Sequence, residues 1–166
     1  MASGDRDDPQ AGNAPNVANL GIVRPPLVYL ASIAAGLMIH LAWPVRVVSP
    51  RLSMPLGAAA TTVAIVLFLV AVRSFRLAGT PVPGNRPTTT VVRTGPYRYS
   101  RNPIYLSFSL LQFGIAFFVD SIWLLVTLIP AVLLMSLVVI PREEAFLEAR
   151  FPLEYLPYKG TVRRWL

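Results

Sequence analysis

Long apolar runs separated by isolated charged residues dominate the sequence. Four windows contain no Asp, Glu, Lys or Arg, and each is bounded on both sides by such a residue: 25–45, 52–72, 102–119 and 121–141. The third window has 18 residues and the others have 21. A helix needs about 20 apolar residues to cross the hydrocarbon core, where backbone polar groups must be paired within the segment. The pattern therefore predicts an all-α integral membrane bundle of four transmembrane helices.

The segments around these windows complete the predicted organisation. Only Asp120 separates the last two windows, so we expect those two helices to form a tight hairpin. Residues 141–166 are charged and aromatic, which favours a short amphipathic helix on the cytoplasmic side that breaks near Pro152. Residues 1–24 are rich in Ala, Asn, Pro and Gly without periodicity, which predicts a disordered cytoplasmic tail.

Basic residues are distributed unevenly around the windows. Thirteen of the 15 Lys and Arg residues lie in the tail, in the central loop (residues 73–101) or after residue 141, whereas only Arg46 and Arg51 lie on the other side. Basic residues close to transmembrane helices favour the cytoplasm. We therefore expect a multi-pass plasma-membrane protein whose two termini and central loop all face the cytoplasm.

Composition narrows the possible chemistry. The chain is 54% hydrophobic and 14% charged, whereas soluble domains carry about 25% charged residues. It has no Cys and one His, His40, which excludes disulfides, thiol nucleophiles and multi-histidine metal sites. A net charge of +7 would suggest nucleic acid for a soluble protein. Here the basic residues mostly flank apolar runs, so we expect membrane lipids as partners and no nucleic acid.

Two cytoplasmic segments hold most of the polar chemistry, and the first precedes the third window. A Gly-Pro turn at Gly95 is followed by Arg101, by Asn102 as a predicted N-cap and by Pro103 at the first helical position. The free N–H groups of that helix start, together with nearby arginines, favour a carboxylate or phosphate. Equally, these arginines could serve only to set topology and contact lipid headgroups.

The second segment begins with Arg142, Glu143 and Glu144 at the end of the fourth window. Two adjacent carboxylates at a membrane interface could bind a ribose, an ammonium or a sulfonium group, or act as a base. They could also only balance local charge. The functional interpretation depends on both segments lying at one membrane face.

These segments resemble a known superfamily, the isoprenylcysteine carboxyl methyltransferases and phospholipid methyltransferases. The resemblance covers about residues 73–166 and is carried by the stretches 73–80, 94–105, 142–147, 155–159 and 162–165. It implies an integral membrane methyltransferase domain over residues 25–166 that uses S-adenosylmethionine, with the cofactor held by segments 88–105 and 141–166.

The resemblance also implies individual site residues. The family's Gly-x-Tyr-x-x-x-Arg-His-Pro-x-Tyr element and its upstream and Glu-Glu elements place cofactor contacts at Thr90, Val91, Val92, Gly95, Tyr97, Arg101, Asn102, Pro103, Tyr105, Glu143 and Glu144. Glu144 is also the expected catalytic residue. Where eukaryotic members carry a substrate-binding arginine, this chain has residues 138–140, which are apolar, so Arg142 is the nearest candidate for that role.

Two positions depart from the family pattern. Asn102 replaces the usual His, which keeps a hydrogen-bonding side chain but loses a titratable one, and Pro152 replaces a Gly.

Methyl transfer from a sulfonium requires mainly that donor and acceptor are positioned and that water is excluded. We therefore expect a lipophilic acceptor that enters from the bilayer and carries a carboxylate, amine or hydroxyl group. Two other functions remain open from sequence: an NADPH-dependent lipid reductase of the sterol-reductase type, and a non-enzymatic scaffold or accessory subunit. The sequence predicts neither the acceptor's identity nor the oligomeric state.

Overall fold

The computed structural model describes residues 24–82 and 89–166, and most of these residues are helical. The α-helices, in chain order, are α1 Pro25–Ala42, α2 Pro50–Leu77, α3 Pro103–Phe118, α4 Ile122–Leu134, α5 Ile140–Arg150 and α6 Pro152–Thr161. A 3₁₀ turn, Gly95–Arg98, precedes α3, and a π-helical turn, Met135–Val139, joins α4 to α5. The predicted disordered tail falls almost wholly outside the described residues, as does part of the central loop.

Proline fixes where several of these helices begin. Pro25, Pro50, Pro103 and Pro152 each occupy the first position of an α-helix. The first helical N–H has no partner within the helix, so proline loses nothing there, and its fixed φ suits helical geometry. These helix starts are therefore encoded locally in the sequence.

Three helical segments are long and apolar enough to cross a membrane: α1 with 18 residues, α2 with 28, and the uninterrupted run Ile122–Arg150 with 29. The predicted all-helical membrane protein is thereby confirmed. The third predicted span corresponds to α3, which has 16 residues and is about 24 Å long at 1.5 Å per residue. That is shorter than a hydrocarbon core of about 30 Å, so the count of four crossings stays a prediction.

The fourth predicted span, 121–141, and the start of the amphipathic helix predicted after it form one uninterrupted helical run, Ile122–Arg150. The charge on Arg142 ends the apolar run without ending the helix, because the residues that follow are mainly Glu, Ala, Leu and Arg, which are good helix formers. The break comes at Phe151, whose φ of −134° and ψ of 54° are not helical. This agrees with the predicted break near Pro152.

Small residues allow α2 and α3 to pack closely. A Cβ atom added to Gly114 would lie 2.4 Å from Thr61 Oγ1 and 2.9 Å from the Thr61 backbone nitrogen. A Cβ atom on Gly57 would lie 2.9 Å from the backbone nitrogen of Phe118. Small residues at such positions are typical of helix pairs in membranes. This packing fixes the direction in which α3 approaches the rest of the bundle.

A buried amide joins α3 to α1 and α4. Gln112 is completely buried, and its Nε2 donates to Ser32 Oγ at 2.7 Å, to the Leu124 carbonyl at 3.1 Å and to Thr127 Oγ1 at 3.3 Å. In an apolar surrounding a polar group of this kind needs partners within the protein. The network therefore sets the register of three helices.

The two connections at the far end of α3 are tied together. Residues 43–49 join α1 to α2, and residues 119–121 join α3 to α4. Asp120 has a positive φ of 52°, and its Oδ1 accepts the backbone N–H of Val47 at 2.9 Å and of Val48 at 3.1 Å. These two hydrogen bonds lower the pKa of the carboxyl group, the one from Val48 first. Trp123 Nε1 also donates to the Trp43 carbonyl at 2.6 Å.

Candidate active site

A cavity lies between the start of α3, the loop before it, and helices α5 and α6. It encloses about 690 Å³ including its open mouth. Its lining residues are Phe75, Thr90, Val91, Val92, Tyr97, Arg101, Asn102, Ile104, Tyr105, Glu143, Glu144, Leu147, Tyr155 and Tyr158. The two polar segments singled out in the sequence therefore meet at one cavity.

The 3₁₀ turn builds one wall. Gly95 has a φ of +61°, and a Cβ atom at this position would lie 2.5 Å from Ser74 Oγ on α2, so both conformation and space call for glycine. The turn places Tyr97 edge-on to Phe75, with ring centroids 5.2 Å apart at 87°. The Tyr97 carbonyl accepts the Tyr158 hydroxyl at 2.8 Å. Gly95 thus shapes the wall from behind without lining the cavity.

The start of α3 lies beside the cavity and has no side-chain cap. Asn102 occupies the N-cap position, but its side chain makes no capping hydrogen bond. Instead, its Nδ2 donates to the Arg164 carbonyl at 3.0 Å. The backbone N–H groups of Ile104 and Tyr105 therefore have no side-chain cap, and both residues line the cavity. The end of the helix dipole at this position favours negative charge.

Glu144 is the centre of a buried ion-pair cluster. Its carboxylate accepts Arg101 Nη2 at 2.9 Å and Arg164 Nη2 at 2.8 Å, and Lys159 Nζ lies 3.9 Å away. The exposed fraction of the side chain is 6% for Glu144 and 10% for Arg101. Arg101 Nη1 donates to the Lys159 carbonyl at 2.8 Å. Arg101 Nε is buried and has no partner among the residues that the structure describes.

Glu143 differs from its neighbour. Its Oε1 accepts the Tyr105 hydroxyl at 2.6 Å, and within residues 24–82 and 89–166 no group donates a hydrogen bond to its Oε2. Successive residues of an α-helix point about 100° apart. Glu143 therefore faces the cavity beside α3, whereas Glu144 faces the cations of the loop and of the chain's last residues.

The tyrosines of α6 complete the opposite wall. Tyr155 is 2% exposed, and burial raises its pKa. Burial likewise raises the pKa of Tyr158 to about 12 and raises that of Tyr97 further. These phenols are therefore neutral near pH 7. They offer aromatic faces and O–H donors to the cavity, and they are not bases.

Most of the residues predicted from sequence come together in this cavity, and three do not. Thr90, Val91, Val92, Tyr97, Arg101, Asn102, Tyr105, Glu143 and Glu144 line it. Gly95 lies behind the wall, and Pro103 is buried in the first turn of α3. Arg142 is exposed and does not line the cavity, because it precedes Glu143 on α5 and its side chain points away from the inner face.

Sequence reasoning missed Phe75, Ile104, Leu147, Tyr155 and Tyr158 in the lining, and Arg164 behind it. The spacing of Leu147 from Glu143 and Glu144, four and three residues, places all three on one helical face and could have predicted it. Tyr155 and Tyr158 are likewise three residues apart. For Arg164 the signal is only a basic residue in the same charged segment, 20 residues after Glu144.

A known protein family has a sequence profile that matches more than half of the chain. The sequence profile of the phospholipid methyltransferase family matches residues 52–154, which run from the first turn of α2 to the first turn of α6. No curated protein and no solved structure matches the chain. The family match includes all eleven predicted cofactor contacts, and nine of these residues line the cavity. The resemblance inferred from the motif residues is thus confirmed, and the protein belongs to the phospholipid methyltransferase family.

Proposed function

We propose that this protein transfers a methyl group from S-adenosylmethionine to a lipophilic acceptor at the cytoplasmic face of the membrane. The observation that carries the proposal is one cavity that combines Glu143 Oε2 and Arg101 Nε, neither with a hydrogen-bond partner among residues 24–82 and 89–166, and a wall of tyrosines. Family membership supports methyl transfer as the reaction.

The lining suits the parts of S-adenosylmethionine, which supplies an electrophilic methyl group when bound. Arg101 Nε and the N–H groups at the start of α3 would hold the carboxylate of its amino-acid portion. Glu143 Oε2 would accept a ribose hydroxyl or the ammonium group. The aromatic faces of Tyr97, Tyr105 and Tyr155 would lie against the adenine or the positive sulfonium.

The two glutamates take different parts in this proposal. Sequence reasoning expected Glu144 to bind cofactor and act in catalysis, but both of its oxygens already accept arginine N–H groups. We assign the ligand-facing role to Glu143 and give Glu144 the task of orienting Arg101. Arg142, which is exposed beside Glu143, is left to contact an acceptor headgroup outside the cavity.

The acceptor is expected to arrive from the bilayer, because the cavity lies where apolar helices meet polar segments. A multi-pass plasma-membrane topology with both termini in the cytoplasm would place the cavity at headgroup depth. It requires α3 to cross the membrane together with the three longer segments, and the excess of basic residues on the cavity side supports it. A lipophilic molecule with a carboxylate, amine or hydroxyl group is the acceptor class proposed.

Isothermal titration calorimetry with purified protein in detergent micelles tests the proposal. Wild type should bind S-adenosylhomocysteine, and Glu143→Gln should bind it at least about tenfold more weakly, because a hydrogen bond to a charged group contributes about 1.5–3 kcal/mol. Glu148→Gln is the matched control, since Glu148 lies outside the cavity lining on the same helix. NADPH is the competing ligand: binding of NADPH with no affinity for S-adenosylhomocysteine would overturn the proposal in favour of a reductase.

A further inference from the structure

Pro141 creates an unusual requirement in the longest helix. In the π-helical turn, the Ile140 N–H bonds to the Met135 carbonyl, five residues back. The next carbonyl in that pattern belongs to Ser136 and would be paired with residue 141. Proline has no N–H, so the Ser136 carbonyl has no donor within its own helix. Such π-turns are frequent at functional sites.

The last residues of the chain supply the missing donor. Arg164 Nη1 donates to the Ser136 carbonyl at 3.3 Å, and Trp165 Nε1 donates to the Ser136 hydroxyl at 3.2 Å. We call residues 162–165 the C-terminal strap. The strap is thereby attached to the helix about two turns before Glu143.

The same strap is attached to the loop that carries Arg101. The Arg101 N–H donates to the Arg163 carbonyl at 2.9 Å. The Arg164 carbonyl accepts Asn102 Nδ2 at 3.0 Å and Ser100 Oγ at 3.4 Å. The strap therefore joins both walls of the cavity through hydrogen bonds of its backbone and of Arg164.

Arg164 also controls the orientation of Arg101 through an intermediate carboxylate. Its Nε and Nη2 atoms donate to the two oxygens of Glu144 at 3.2 and 2.8 Å, a two-point contact that fixes the carboxylate plane. That carboxylate accepts Arg101 Nη2, and the Lys159 carbonyl accepts Arg101 Nη1. One hydrogen of each terminal nitrogen is thereby used, and Nε is the Arg101 nitrogen that is buried without a partner among residues 24–82 and 89–166.

We propose that Arg164 is a positioning residue, which acts through Glu144 to aim Arg101 Nε at the carboxylate of the cofactor's amino-acid portion. This inference rests on the proposed function. Arg164 lies outside residues 52–154, the part of the chain that the family profile matches.

Calorimetry on the full-length protein with two ligands separates positioning from a general structural role. The ligands are S-adenosylhomocysteine and its decarboxylated analogue, which lacks only the carboxylate. Arg164→Ala should bind S-adenosylhomocysteine about tenfold more weakly, as expected when one charged hydrogen bond is misaligned. Its affinity for the decarboxylated analogue should stay within about twofold of wild type, because groups that are not coupled behave additively. Arg150→Ala removes the same charge from an exposed position and should leave both affinities unchanged.

Arg164→Lys guards against a loss of folding. Lysine retains the charge, but a single ammonium cannot reach both Glu144 oxygens and the Ser136 carbonyl as a guanidinium does. It should therefore show the same selective loss for the ligand that carries the carboxylate. An equal loss for both ligands in either Arg164 variant, or no loss in either, overturns the inference. Wild type that binds neither ligand overturns the proposed function as well.

Discussion

Replacing Glu144 by Gln removes the one anion between two buried or half-buried guanidinium groups. Glu144 is 5% exposed, and the Arg101 side chain, 10% exposed, would keep its charge without a counter-ion. Removing one partner of a buried ion pair destabilises a protein by about 3–5 kcal/mol.

The magnitude expected here is at the lower end of that range. The side chains of Arg164 and Lys159 are 36% and 37% exposed, so water can solvate them once the carboxylate is lost. Contacts to such exposed partners contribute about 0–1 kcal/mol each. We therefore expect Glu144→Gln to lower the free energy of unfolding by about 3 kcal/mol, almost all from the Arg101 contact.

Thermal unfolding in detergent, followed by circular dichroism, measures this change. In a chain of this length 1 kcal/mol corresponds to about 2–4 °C, so the melting temperature should fall by roughly 6–12 °C. Glu143→Gln is the adjacent control. Its amide oxygen can still accept the Tyr105 hydroxyl, and its melting temperature should change little. A Glu144→Gln protein that melts within about 2 °C of wild type would refute the view that Glu144 neutralises Arg101.

Three further predictions concern the bundle itself, and melting curves of the purified variants measure them all. Gly114→Ala should destabilise the protein by about 1–3 kcal/mol through overpacking. Adding Thr61→Ala should restore only part of this stability, because the backbone nitrogen of residue 61 stays 2.9 Å from the new Cβ. Full rescue would contradict the described packing. Gln112→Leu should lose about 1 kcal/mol, since hydrogen bonds between membrane helices contribute about 0.6 kcal/mol each and the two hydrogens of Nε2 are shared among three acceptors; an unchanged melt would show that the network does not stabilise the bundle. Asp120 has a lowered pKa, so its stabilisation is present above the ordinary value of 3.8 and is lost as the pH falls through the lowered value. The advantage of wild type over Asp120→Asn should therefore shrink in that acidic range, and an advantage that persists unchanged at the lowest pH would count against the capping role.

The parts of the site that sequence predicted are those encoded by local motifs. Gly95, Arg101 and Pro103 occur at a spacing that indicates a turn followed by a helix start, and the structure places such a turn and helix beside the cavity. Charge-free windows likewise predicted apolar helices, because burial in lipid acts on composition alone. A charge-free window does not by itself give the end of a helix, since the charge on Arg142 marks the end of an apolar run and not the end of the helical run Ile122–Arg150.

Contacts between segments that are distant in sequence could not be predicted. Glu143 and Glu144 are identical in residue type, and only the rotation of α5 decides which one meets Arg101. The hydrogen bond from Arg164 to the Ser136 carbonyl depends on Pro141, which leaves that carbonyl without a donor in its own helix. Neither relation has a signature in one sequence, because both arise from how helices pack.

The tie between residues 43–49 and 119–121 has a mechanical consequence. The Ile122 N–H donates to the Val45 carbonyl at 3.1 Å, and the Asp120 carboxylate holds the two N–H groups that follow Arg46. Because these hydrogen bonds hold the helices together at one end of the bundle, we expect the helices to move least relative to one another at that end. If the proposed lipid acceptor enters between helices, we expect α1, α3 and α4 to separate most at the opposite end, where the cavity lies. The hydrogen bonds between these two connections contact no ligand, but they would thus limit how far the cavity can open towards the bilayer.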